Sequence, residues 1–132
     1  KEVDLKTFFQ ETDILTAHIF YEPDNHYFIN DSFLQNFQKD IFVINTARGL
    51  VLNTSDLVKN LKSGKVRGAA LDVLEYEEQA FEVFDFDNPP EAFQYLLKSD
   101  RTVLSPHIAG WSFESKEGHG RVLARKILDF SL

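Results

Sequence analysis

The chain has 132 residues, no cysteine and a net charge of −7. Its length suits one domain with a single core, and the lack of cysteine excludes a disulfide or thiolate-metal framework. The negative charge disfavours nucleic-acid and membrane partners, and no apolar run approaches the ~20 residues that span a bilayer. We therefore expect a soluble, cytoplasmic protein; the first residue, Lys1 rather than Met, favours an internal piece of a longer polypeptide.

The first third of the chain predicts a helix, a strand and a second helix. Asp4 is placed to cap a helix over residues 5–9, and the apolar run at 14–19 is typical of a strand. A turn at 24–25 precedes three polar residues at 30–32, which offer an N-cap for a short helix.

A continuous apolar run at 41–44 indicates a strand buried on both faces of a sheet. Thr54 or Ser55 is predicted to cap the next helix, and Gly64 is placed to end it in the left-handed conformation. A further strand is predicted over 66–74.

The last third predicts a helix over 91–98, a short strand from 102 to Pro106 and a long helix over 113–130. Strands and helices thus alternate, which predicts right-handed crossovers and a parallel sheet with helices on both faces. We expect a doubly wound α/β unit that forms half of a larger sheet.

Polar residues follow the predicted strands, and in a parallel sheet they should meet at one edge, where ligands bind. The chemically active members of this set are Arg48, two carboxylates within the segment from Asp72 to Glu77, and His107. Each of them alone is most simply an ordinary surface or loop residue. Together they are sufficient to bind a carboxylate and transfer a proton.

Three motifs carry a resemblance to a known family. They are Ile-Asn-Thr-Ala-Arg-Gly at 44–49, Ala-Leu-Asp-Val at 70–73 followed by Glu77, and Ser-Pro-His-Ile-Ala-Gly at 105–110. In this order and spacing the chain resembles the D-isomer-specific 2-hydroxyacid dehydrogenases over residues 10–130. The resemblance implies a Rossmann-like, doubly wound parallel sheet, namely the second half of the NAD-binding domain.

The sequence contains no Gly-x-Gly-x-x-Gly after a strand, which in the family lies in the first half of that domain. We therefore expect residues 1–132 to form a partial dinucleotide-binding domain, with the glycine-rich half and the substrate domain outside this chain. Such a piece alone should turn over nothing.

The resemblance implies an NAD(P)-dependent enzyme that interconverts a D-2-hydroxy acid and its 2-keto acid by hydride transfer. Arg48 would bind the substrate carboxylate with its planar fork, and His107 would exchange a proton with the hydroxyl group. Glu77 would hydrogen-bond the second imidazole nitrogen. Its choice over Glu75 and Glu78 depends only on its spacing from Asp72.

The resemblance also implies the cofactor, NAD with NADP as the alternative, and a homodimer. Six residues would contact the cofactor: Thr46, Ala47, Arg48, Asp72, His107 and Gly110. Among these, Asp72 would anchor the nicotinamide amide. Two alternatives stay open, a dinucleotide-sensing protein similar to the co-repressor relatives and an inactive piece of the enzyme.

Three further features of the sequence give weaker indications of function. His18 has Phe20 where the family has a proline, so we interpret this histidine as structural. Trp111 is placed either to contact substrate or to lie in a core or interface. The acidic run at 85–88 lacks the glycine and glutamate of a calcium loop, and no metal site is predicted.

Overall fold

The computed structural model describes residues 2–77 and 88–130. The acidic segment between them, with most of the calcium-like run and Glu78, lies outside the described residues. The helices and strands are, in chain order, α1 (Leu5–Glu11), β1 (Ile14–Ala17), α2 (Asp31–Gln35), β2 (Ile41–Asn45), α3 (Thr54–Ser63), β3 (Val66–Leu71), α4 (Glu91–Lys98), β4 (Thr102–Leu104) and α5 (Phe113–Phe130). Single 3-10 turns cover Pro23–Asn25 and Gly49–Val51.

The four strands form one parallel sheet in the order β1-β2-β3-β4. The register places Ala17 beside Asn45, Asn45 beside Leu71, and Leu71 beside Leu104. The carboxyl ends of the strands are therefore level, and the segments that follow them leave the sheet at one edge. The predicted alternation of strand and helix in a parallel, Rossmann-like sheet is confirmed.

One face of the sheet carries the core. Leu34 of α2, Leu57 of α3 and Leu96 of α4 share a buried cluster with Leu15 and Val43 of the strands, and α1 packs against it. Burial alternates along β1 and β2, and along β3 apart from the successive buried residues Gly68 and Ala69, which is the pattern of a sheet covered on one side. In the described part of the chain, the helices cover this face only.

The prediction that β2 is buried on both faces is therefore wrong for this chain. Ile41 and Val43 are fully buried, whereas Phe42 is 39% exposed on the opposite face beside Ile14 of β1. A run of apolar residues in a strand predicts that both faces of the sheet are covered by other segments of the protein. It does not indicate which segment covers each face.

Helix caps were predicted with mixed success. Asp4 accepts a hydrogen bond from the Thr7 amide at 2.7 Å, as expected, and Asn30 caps α2. The cap of α3 is Asn53, which accepts from the Asp56 amide at 2.9 Å, and not Thr54 or Ser55. Thr54 is instead the first helical residue, because the Asn53 side chain already satisfies the free amide.

Several element boundaries also differ from their predictions. Strand β1 ends at Ala17 and β3 at Leu71, both earlier than predicted, and the polar residues His18 and Asp72 are the first residues after them. Helix α5 has its predicted bounds, but none of its residues is buried. Its apolar side chains, such as Leu123 and Ile127, are exposed, so its helical spacing correctly predicts the helix but not a packed face.

Gly64 ends α3 with φ of 87°, in the left-handed region, as predicted. A Cβ at this position would meet no heavy atom within 4 Å, so only the backbone conformation opposes a side chain. Gly64→Ala is expected to lower the free energy of unfolding by about 1 kcal/mol, measured by chemical denaturation. Gly64→Asn is the control and should lose less, because asparagine tolerates this region. Equal stability of the alanine variant and the parent would contradict the argument.

Candidate active site

Asn45, the last residue of β2, shapes the loop that carries Arg48. Its side chain is fully buried; Oδ1 accepts from the Ala47 amide and Nδ2 donates to the Arg48 carbonyl, both at 3.0 Å. The loop is thus folded around one amide side chain, as in an Asx turn. Sequence reasoning assigned Asn45 no role, although a polar residue at the end of an apolar strand was a usable signal.

The guanidinium of Arg48 lies at the surface of the loop, where Nη1 donates to the Ala47 carbonyl at 2.7 Å. Arg48 lines a cleft of about 420 Å³ together with Glu77, His107 and the apolar side chains of Leu50 and Val73. Three of the predicted site residues therefore share one cavity at the carboxyl edge of the sheet. The other donors of the guanidinium can reach an anion in that cleft.

Glu77 and His107 are in direct contact. Nδ1 of His107 lies 2.7 Å from Oε2 of Glu77, and the second carboxylate oxygen accepts from the Leu74 amide at 2.7 Å. Both side chains are partly exposed, at 51% for His107 and 38% for Glu77, so the pair is open to a ligand. The arrangement fixes one imidazole nitrogen and leaves Nε2 available.

Glu75 has a different environment from Glu77. One of its oxygens accepts from the Thr54 amide at 3.2 Å, which ties the segment after β3 to the first turn of α3. A hydrogen bond to Glu75 raises the pKa of Tyr27 to about 12, with burial as the second cause. Burial and, next, the charge of Glu75 raise the pKa of Tyr76 to about 12. Both phenols are therefore neutral at pH 7, and Glu75 holds the loop in place.

Asp72 lies below the cleft and is only 4% exposed. Its carboxylate accepts hydrogen bonds from the Ser105 hydroxyl at 2.6 Å and from the Ile108 and Ala109 amides at 2.9 Å each. Burial by itself raises the pKa of Asp72, but these three donors and the nearby His107 outweigh it, so the net shift is downward. The group is thus held as a carboxylate.

The remaining predicted cofactor contacts surround the same edge. Thr46 and Ala47 follow β2, where Ala47 is buried, and a Cβ on the exposed Gly110 would meet nothing within 4 Å. These residues lie beyond the carboxyl ends of the parallel strands, which is where ligands bind in sheets of this kind.

The features that sequence analysis left aside lie at the surface. His18 is exposed and contacts Thr16 through Nε2 at 2.9 Å, while Trp111 is exposed with Lys116 near its ring. Within residues 2–77 and 88–130, no group of three His, Cys, Asp or Glu side chains is placed to hold a metal ion. In the same part of the chain, no helix has the length and apolar character needed to cross a membrane.

A parallel sheet with helices packed against it, whose carboxyl edge brings an arginine and a Glu–His pair into one cleft, defines a Rossmann-like α/β unit. The chain belongs to the family of D-isomer specific 2-hydroxyacid dehydrogenases, whose NAD binding domain matches residues 1–109. NAD is accordingly the cofactor of this class of domain, as predicted.

Similar proteins agree with this assignment. The chain is 38% identical to a D-specific alpha-keto acid dehydrogenase of Enterococcus faecium, covering 92% of the chain and 38% of that protein. It is 37% identical to a glyoxylate reductase of Thermofilum pendens, covering 95% and 34%. The chain thus spans less than two fifths of the length of these relatives.

Solved structures show the same fold. The structure of D-2-hydroxyisocaproate dehydrogenase matches with a TM-score of 0.77 at 28% identity, covering 97% of this chain and 39% of that one. The NAD-complexed D-isomer specific 2-hydroxyacid dehydrogenase of Lactobacillus delbrueckii ssp. bulgaricus matches with a TM-score of 0.76 at 28% identity, covering 98% and 40%.

Proposed function

We propose that the protein containing this chain is an NAD-dependent oxidoreductase that interconverts a D-2-hydroxy acid and its 2-keto acid. The observation that carries the proposal is the 2.7 Å contact between Glu77 and His107 in the cleft that Arg48 also lines. A cation for a carboxylate and a buttressed imidazole for a proton are the two groups that this chemistry requires of the protein.

His107 moves the proton. Because the Glu77 carboxylate can only accept, Nδ1 of His107 carries a hydrogen toward it, and Nε2 is the nitrogen that faces the substrate. During oxidation of the hydroxy acid, Nε2 takes the hydroxyl proton, and during reduction it returns a proton to the new alkoxide. The imidazolium that forms is stabilised by Glu77, because opposite charges are adjacent.

Arg48 binds and orients the substrate carboxylate. Its guanidinium forms two parallel hydrogen bonds with a carboxylate and so fixes the plane of the acid relative to His107. The apolar side chains of Leu50 and Val73 border the same cleft and would contact the carbon chain of the bound acid.

NAD, when bound, supplies the hydride acceptor or, once reduced, the donor. Thr46, Ala47, Arg48, Asp72, His107 and Gly110 are the residues that we propose hold its nicotinamide end. Asp72 already accepts three hydrogen bonds from the protein, so a contact with the nicotinamide amide would use its remaining acceptor capacity.

The domain organisation belongs to the same proposal. The chain corresponds to between a third and two fifths of its relatives, and one face of its sheet is exposed at Ile14, Phe42 and Val103. We place the glycine-rich half of the dinucleotide site and the substrate domain in the rest of the protein. A homodimer follows from the family resemblance alone.

The experiment that tests the proposal is NADH oxidation by the intact protein with a panel of 2-keto acids. The panel contains glyoxylate, pyruvate, hydroxypyruvate, a branched-chain keto acid and a phosphorylated keto acid. Turnover of at least one acid is expected. NADH binding without turnover of any acid would contradict the enzyme and favour the dinucleotide-sensing protein.

Arg48→Lys is expected to raise KM for the keto acid about 10- to 100-fold, because lysine keeps the charge but loses the planar pair of donors. The KM for NADH should change much less. Steady-state kinetics with each substrate varied in turn separates the two effects. Arg121→Lys on α5, where the arginine is paired with Glu117, is the matched control. An unchanged keto-acid KM in Arg48→Lys would remove Arg48 from the substrate site.

A further inference from the structure

We propose that Asp72 is a positioning residue that holds the loop at 105–109 in the conformation that presents His107 to the substrate. The geometry stands independently of the reaction, whereas the catalytic consequence depends on the proposed function. The role differs from the nicotinamide contact that the family resemblance implies, since it operates with no cofactor bound.

The donors to Asp72 lie on both sides of His107. Ser105 precedes the histidine by two residues and gives its hydroxyl to Oδ1 at 2.6 Å. Ile108 and Ala109 follow the histidine, and their amides donate hydrogen bonds to Oδ1 and Oδ2 of Asp72, both at 2.9 Å. One buried carboxylate thus fixes the chain before and after the residue that carries the imidazole.

The backbone of His107 requires such support. Its φ is 54°, in the left-handed region that residues with a Cβ rarely adopt. Conformations of this kind persist only where surrounding contacts determine them. Within the loop, the His107 amide also donates to the Ser105 carbonyl at 3.0 Å, which tightens the turn without providing an anchor to the sheet. The Ser105 amide donates to the Leu71 carbonyl of β3 at 3.0 Å, which anchors the start of the loop, whereas Asp72, directly after β3, anchors the residues on both sides of His107.

The anchor must be a carboxylate. Oδ1 and Oδ2 of Asp72 both act as acceptors, so an amide side chain would place its NH2 group against an N–H or O–H donor. The site is nearly inaccessible to water, which therefore cannot replace a lost partner. The lowered pKa of Asp72 agrees with a permanently ionised group at neutral pH.

Hydrogen exchange of the intact protein, measured by mass spectrometry without cofactor, tests the anchor directly. In Asp72→Asn, the peptide covering 104–112 is expected to exchange at least tenfold faster, with the peptides of α3 unchanged. Asp56→Asn is the matched control, since Asp56 accepts a single backbone amide, from Asp31, far from the loop. Unchanged protection of 104–112 in Asp72→Asn would overturn the proposal.

Kinetics separate positioning from cofactor binding. Asp72→Asn is expected to lower kcat at least tenfold while the Kd for NADH changes less than kcat does. In the His107→Ala background, Asp72→Asn should cause no further loss of kcat, because the residue acts through the histidine. A full additional loss in that background, or a defect confined to NADH affinity, would overturn the catalytic part.

If Asp72→Asn does not fold, Ser105→Ala is the alternative test, because it keeps the Asp72 carboxylate and removes one of its three hydrogen-bond donors. It is expected to increase exchange of 104–112 two- to fivefold, and unchanged exchange would overturn the anchor. If the intact protein turns over no keto acid, the proposed function fails, whereas the exchange result still decides whether Asp72 holds the loop.

Discussion

His107→Gln is expected to lower kcat of the intact protein by about 10² to 10⁴-fold, the range in which a positioned general acid or base contributes. Glutamine has similar polarity and can contact Glu77, but it cannot carry a proton between the hydroxyl oxygen and solvent near neutral pH. The KM for the keto acid should change little, because Arg48 makes the carboxylate contact. Steady-state kinetics over a range of pH measures both quantities.

Glu77→Gln provides the companion measurement. The variant keeps the size of the side chain and its contact with the Leu74 amide but removes the charge beside the imidazolium. A loss of roughly 10- to 100-fold in kcat is expected, because hydrogen bonds to charged groups contribute ~1.5–3 kcal/mol. The effect should therefore be smaller than that of His107→Gln.

Two controls accompany these variants. His119→Gln changes an exposed histidine on α5, and Glu75→Gln changes the carboxylate that contacts the Thr54 amide and not the imidazole. The first should leave kcat unchanged, and the second should act mainly on stability. Wild-type kcat in His107→Gln would show that another group moves the proton and would remove the basis of the proposed mechanism.

The strand order predicted that Glu77 and His107 meet at one edge of the sheet, whereas their direct contact was implied by the family resemblance. Both residues follow parallel strands that are neighbours in the sheet, so the topology alone brings them to one edge. The spacing of Glu77 from Asp72 then distinguished it from Glu75, and the geometry of the two side chains agrees. Their roles in catalysis stay predictions that the kinetic variants test.

The contacts that hold the site were not accessible in the same way. Asn45 and Asp72 are buried polar residues whose partners are backbone amides of irregular loops, and no periodicity describes such loops. The left-handed conformation of His107 could not be predicted either, because glycine is the residue that normally indicates this conformation in a sequence. Sequence patterns thus predicted which groups meet at the edge but not how they are supported.

The exposed face of the sheet shows a second limit. The apolar residues of β2 and α5 predicted burial, yet Phe42 is 39% exposed and no residue of α5, Leu123 included, is buried in this chain. Hydrophobic patterning records the environment of a residue in the whole protein. This chain spans less than two fifths of the length of its relatives and has exposed apolar surfaces. The pattern of apolar residues does not identify which segments would cover these surfaces.

Gly49→Ala is expected to be the most disruptive of the six possible glycine-to-alanine substitutions. A Cβ at this position would lie 2.1 Å from the Leu74 carbonyl oxygen and 2.5 Å from the Glu75 amide nitrogen. These atoms are backbone and cannot move as a flexible side chain would. The loop that carries Arg48 and the loop that carries Glu77 must therefore separate, and overpacking of this kind costs about 1–3 kcal/mol or more.

The separation should also affect catalysis, because displacement of reacting groups by about 1 Å can cost ~10²-fold in rate. We expect Gly49→Ala to lower both the melting temperature and kcat, and the loss of kcat should persist well below the melting temperature. Gly118→Ala is the control, since a Cβ there meets nothing within 4 Å. Wild-type stability and kcat in Gly49→Ala would mean that the two loops do not approach as closely as the structure shows. The assembly of Arg48 with Glu77 and His107 in one cleft would then need another explanation.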